Sequence, residues 1–62
     1  MKSFIYLRGF VDRVNGVIAL HPDMEEIENN LGIHPMSQYV TTEYMAGVRD
    51  SEKRLKELVN KK

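Results

Sequence analysis

Across residues 3–16 the apolar positions recur with helical period: Phe4, Leu7, Val11 and Val14 stand at i, i+3, i+7 and i+10, with Phe10 beside them. On a helix this stripe should face a core. Arg8, Gly9, Asp12 and Arg13 would then share the opposite, solvent-side face, with Arg8 and Asp12 as an i,i+4 ion pair. Ser3 is a natural N-cap, and Asn15-Gly16 suits a left-handed C-cap. The same dipeptide is also a strong hairpin signal, flanked by residues 10–14 and 17–21 as two strands. Alternation weighs against the hairpin. Phe10, Asp12 and Val14 would share one strand face and Val11, Arg13 and Asn15 the other, so neither face is cleanly apolar. The expectation is a helix followed by an extended apolar connector over residues 17–20, with an N-terminal β-hairpin as the alternative.

Two His-Pro dipeptides, His21-Pro22 and His34-Pro35, divide the rest of the chain. Proline fixes its own φ and disfavours the α region for the residue before it, so each pair reads as a stop followed by a start. Residues 22–31 read as a short helix with Pro22 in its first position and Asp23, Glu25, Glu26 and Glu28 in its first two turns. Met24, Ile27 and Leu31 form its apolar stripe. Gly32 ends it and leaves Ile33 to fold back on Ile27. The third segment, residues 35–60, carries Met36, Val40, Tyr44, Val48, Leu55 and Val59 at helical spacing, with Tyr39 and Leu58 widening the face. Twenty-five helical residues extend roughly 37 Å, more than the diameter of about 30 Å expected of a globule this size. So the last helix either breaks at Ala46-Gly47, with Asp50 or Ser51 capping a new start, or protrudes as a tail over residues 50–62. The predicted fold is an all-α bundle of about three helices in a single small domain, 1–62, the last helix long.

Length makes self-association or docking attractive. A chain of 62 residues supplies a core worth only about 3–5 kcal/mol, and small folds add a disulfide, a metal or a subunit. There is no cysteine, which removes the disulfide and all thiolate chemistry, and two histidines are a poor basis for structural zinc. The remaining staple is a partner protein or a homo-oligomer. The formal net charge of zero gives no overall attraction to nucleic acid or anionic lipid. The longest apolar runs, residues 4–7 and 17–20, fall far short of the ~20 residues of a membrane span. With no cysteine and no signal-like segment, the expected location is cytoplasmic.

Chemistry-bearing patterns are thin. Ser3, Ser37 and Ser51 lack the context of an activated nucleophile, the acids of the second segment face solvent, and there is no glycine-rich phosphate loop. The expectation is a non-enzyme without cofactor or metal. Residues 24–47 have the outline of a helix-turn-helix, with Gln38, Thr41 and Thr42 offered to base edges. Against this, Glu28 stands where the two helices would cross, the connection is long, and the recognition helix has no basic residue before Arg49 to anchor phosphates. The favoured expectation is a small interaction protein, a regulator, inhibitor or assembly factor. It would bind a protein partner or itself through the amphipathic C-terminal helix, with Tyr39, Tyr44, Arg49, Arg54 and Leu58 as contact residues. A dimeric DNA-binding regulator is the alternative.

Overall fold

The computed structural model describes residues 3–33 and 37–60, and these form three helices: α1 (Phe4–Val14), α2 (Met24–Leu31) and α3 (Gln38–Asn60). There is no strand among the described residues, so the hairpin alternative is set aside. Local chemistry explains the ends. The Ser3 hydroxyl accepts from the Tyr6 N–H at 3.1 Å and caps α1. At the other end Gly16 takes φ +74°, its N–H bonds Arg13 O, and the Val17 N–H bonds Asp12 O. Those two bonds are the paired closure of a left-handed helix stop, and here the glycine bears the positive φ rather than Asn15.

The short helix begins two residues later than expected. Asp23, not Pro22, organises its start: the Asp23 carboxylate accepts from the Glu26 N–H (2.9 Å) while Glu26 accepts from the Asp23 N–H (3.2 Å). Pro22 lies just outside the helix and is buried. Gly32 ends α2 with φ +70° as expected, but Ile33 is exposed rather than folded back. Ser37 starts α3, its hydroxyl accepting from the Val40 N–H at 3.2 Å. Of the third-segment expectations, His34, Pro35 and Met36 lie outside the described residues.

One expectation about packing is overturned, the face α1 turns to the core, and of the two alternatives for the last helix the unbroken one is found; one geometric cause lies behind both. α3 runs unbroken through Ala46-Gly47, and Asp50 and Ser51 sit inside it rather than capping a second helix. Gly47 is there for contact. A Cβ on Gly47 would stand 2.9 Å from the Phe10 nitrogen and closer still to the Tyr6 carbonyl oxygen. A Cβ on Gly9 would likewise stand 3.0 Å from the Tyr44 carbonyl carbon and closer still to its oxygen. The two helices therefore cross backbone against backbone at this glycine pair. To reach that crossing, α1 turns toward α3 the face that hydropathy assigned to solvent: Tyr6, Gly9 and Asp12 are its buried residues. Phe4, Leu7, Val11 and Val14 point outward and are exposed.

The crossing is reciprocal. Tyr6-x-x-Gly9-x-x-Asp12 on α1 has the same spacing as Tyr44-x-x-Gly47-x-x-Asp50 on α3. The Tyr6 hydroxyl donates to Asp50 and the Tyr44 hydroxyl donates to Asp12, so each helix gives a phenol and takes one on either side of the glycines. This is the pattern of a two-fold contact realised within one chain. Around it, Ile18, Ile27, Tyr44 and Val48 make the buried core, with Ile5, Leu20, Leu31 and Met45 packed against it.

Candidate functional site

Asp12 is the polar centre of the fold. It is buried, and its carboxylate accepts from Tyr44 OH at 2.5 Å and from Arg8 Nε at 3.1 Å. Arg8 also donates through Nη2 to the Asn30 carbonyl (2.8 Å), and the Asn30 amide donates to Val17 O (3.0 Å) and to Tyr44 OH (3.4 Å). One network thus joins α1, the 17–23 connector, α2 and α3. Burial, reinforced by donation to the Asp12 carboxylate, pushes the Tyr44 phenol up to about 12. The Tyr6 phenol is also raised, first by its bond to Asp50, and the nearby Arg54 charge opposes this. Arg13 ties the opposite rim, donating to Glu52 (3.1 Å) and to the Ile18 carbonyl (2.8 Å). These bonds satisfy side chains that would otherwise be costly to bury, and they hold α1 in one rotational setting.

That setting leaves two apolar surfaces uncovered. The first is the outer stripe of α1, where Phe4 is 74% exposed and Leu7, Val11 and Val14 are each about half exposed. The second is the far end of α3, where residues 53–60 are all exposed and include Leu55, Leu58 and Val59. A run of positions on α3, Tyr44, Val48, Ser51, Leu55 and Leu58, steps alternately by four and three residues. Its first three members are fully buried and its last two emerge from the fold, at 39% and 68% exposure.

The structure divides the expected contact residues. Leu58, Arg54 and Arg49 are exposed on α3, and Arg54 lines an open groove of about 480 Å³ with Tyr6, Phe10, Asp50, Lys53 and Glu57. Tyr39 is exposed near the opposite end of the same helix. Tyr44 is apart from all of them, fully buried with its hydroxyl committed to Asp12, so it presents no ring at the surface. Of the residues considered for base readout, Gln38 and Thr42 are exposed, whereas Thr41 donates to Ser37 O at 3.1 Å and lies 3.3 Å from the Met24 sulfur. Among the described residues no three His, Cys, Asp or Glu side chains gather as a metal site, and no helix is long and apolar enough to cross a membrane.

Periodicity alone assigns the α1 stripe to the core and so conceals it as a surface. The signal that could have revealed it is the repeated Tyr-x-x-Gly-x-x-Asp spacing, which marks a second, rival contact face on the same helix. No family model matches the chain, and neither does any curated protein or solved structure.

Proposed function

We propose that this chain is a non-enzymatic interaction module, a small cytoplasmic regulator, inhibitor or assembly factor that works by docking exposed helix faces on another polypeptide. One observation carries the reading: α1 spends its glycine and its ionic groups on internal packing and turns Phe4, Leu7, Val11 and Val14 to the outside. An apolar stripe of this kind, rimmed by polar residues, is what helix-in-groove and helix-on-helix recognition use. The C-terminal half of α3 supplies a second contact, with Leu58 as its apolar anchor and Arg49 and Arg54 at the rim.

The test is affinity capture with the tagged full chain, run with nuclease, beside Leu7→Asp and Leu58→Asp. Both variants should keep the helical circular dichroism of the parent, since both positions are at least half exposed. Stoichiometric capture of a polypeptide, lost in one or both variants, is the expected result. Capture that ignores both substitutions, or that disappears with nuclease, would refute the proposal.

A further inference from the structure

Resting on that reading, we propose that the partner of the C-terminal half of α3 is an acidic polypeptide segment lying in the groove between α1 and α3. Its carboxylates meet Lys53 and Arg54, and an apolar side chain packs against Phe10. The zero net charge of the chain conceals a division. Residues 14–48 hold Asp23, Glu25, Glu26, Glu28 and Glu43 and no Lys or Arg, whereas Arg49, Lys53, Arg54, Lys56, Lys61 and Lys62 crowd the last stretch of the sequence. Packing on α1 sharpens the division. Glu52 is paired with Arg13, and Asp50 accepts from the Tyr6 hydroxyl. Arg49, Lys53, Arg54 and Lys56 are all exposed, and none of them forms an ion pair among the described residues. Against these cations stand only the Asp50 and Glu57 carboxylates, so this end of α3 presents a positive surface.

Shape and lining select the class of partner. The groove of about 480 Å³ is walled by Tyr6 and Phe10 from α1 and by Asp50, Lys53, Arg54 and Glu57 from α3. Lys53 and Glu57 also line a second hollow with Lys56 and Asn60, so the two run on along α3 from residue 50 to residue 60. At 1.5 Å per helical residue that track is about 15 Å long, the reach of about five residues of extended chain. A nucleic acid suits the lining poorly. Its closely spaced phosphates would meet Asp50 and Glu57, and the buried Tyr6 ring offers no open face for base stacking. A bilayer is flat where the groove is concave, and Leu55, Leu58 and Val59, with no Trp or Phe beside them, are a small anchor for an interfacial helix. A peptide brings both kinds of partner, carboxylates for Lys53 and Arg54 and N–H donors for Asp50 and Glu57.

The test is selection of short random peptides, displayed on phage, against the immobilised full chain, followed by titration of the selected peptides by fluorescence anisotropy. Enriched peptides should carry Asp and Glu beside an apolar residue. Their affinity should fall steeply between about 0.1 M and 1 M salt, as the screening length shrinks from about 10 Å to about 3 Å. Lys53→Glu with Arg54→Glu should weaken binding by about 30-fold or more, and Lys53→Gln with Arg54→Gln by about 10-fold. Both positions are exposed and free of ion pairs, so both double variants should keep the helical circular dichroism of the parent. Selection that yields no acidic motif, or binding that ignores both double variants, overturns the inference. So does tighter binding of a DNA oligonucleotide or of phosphatidylserine vesicles through Lys53 and Arg54. The two failures separate cleanly. Peptides that depend on Leu7 or Leu58 and not on Lys53 and Arg54 leave the interaction reading standing without this groove; a chain that selects no peptide and captures no polypeptide loses both.

Discussion

Replacing Gly47 by alanine asks whether the glycine is a weak point in a long helix or the contact point of two helices, because the answers have opposite signs. In a helix interior free of neighbours, glycine to alanine stabilises by about 0.8–1 kcal/mol. At this crossing the new methyl would lie 2.9 Å from the Phe10 nitrogen and nearer still to the Tyr6 carbonyl oxygen, inside the 3.0 Å that real Cβ contacts essentially never breach. Both obstacles are helix backbone, which cannot swing aside as a flexible side chain does. The helices must part by something on the order of 1 Å, and overpacking of this kind costs roughly 1–3 kcal/mol or more. Separation also stretches the two Tyr-to-Asp bonds that flank the glycines. Set against a core worth about 3–5 kcal/mol, the net loss is a large share of the total. Urea unfolding followed by circular dichroism at high dilution should show the midpoint of Gly47→Ala falling by about 1 M or more, given a slope near ~1 kcal/mol/M for so small a chain. Gly9→Ala should behave alike, its Cβ meeting the Tyr44 carbonyl. A midpoint that rises in either variant would refute the close crossing and restore Gly47 as a flexible joint.

Tyr44→Phe leaves the buried Asp12 carboxylate with one charged donor, Arg8, and should cost about 1–3 kcal/mol in the same unfolding assay. Because the folded-state value of Tyr44 is raised to about 12 from 10.0, its contribution to stability is complete below pH 10 and is lost as pH climbs from 10 toward 12. Phenolate absorbance should show a late-titrating component that Tyr44→Phe removes. Asp23→Ala deletes the cap of α2 and half of its capping box, with an expected loss of about 1 kcal/mol, while Asp23→Asn should retain most of it.

Signals that act within one turn were legible from residue types alone. Ser3 and the Asn15-Gly16 stop bounded α1, and Gly32 closed α2, because capping depends on a few neighbouring atoms. Asp23 displaced Pro22 at the start of α2 for the same local reason: its carboxylate satisfies a free N–H, which proline at N1 leaves to water. The rotation of α1 was not legible, since periodicity says which face of a helix is apolar and not which face another helix will cover. Gly9 and Gly47 allow a backbone approach that larger side chains forbid, and the Tyr–Asp pairs reward it. Gly47 read alone looks like a breaker. Read with Tyr44 and Asp50, and beside Tyr6, Gly9 and Asp12, it looks like half of a joint. The candidate contacts divide on the same physics, for Tyr44 belongs to that joint and Leu58 lies beyond it.

The rotational setting of α1 is the point on which the interaction surface depends, and Leu7→Asp at high dilution tests it without a partner. Turned the other way, with the apolar stripe on α3, Leu7 would be core, and a carboxylate there would cost the 2–5 kcal/mol of a lost leucine side chain plus the penalty of a buried charge. Such a chain would not fold. In the observed setting Leu7 is 51% exposed, so the substitution forfeits only part of one side chain's burial, about 1 kcal/mol. An acid in the early turns of α1 partly offsets that loss through the helix dipole. Dilute Leu7→Asp should therefore retain its helical signal and unfold within about 1 M urea of the parent. Asp12→Ala must then do the reverse, for Asp12 is buried and receives both Tyr44 and Arg8: its loss should destabilise the dilute chain by about 1–3 kcal/mol. If the leucine variant is the one that unfolds and the aspartate variant is silent, α1 is turned the other way and the exposed stripe does not exist.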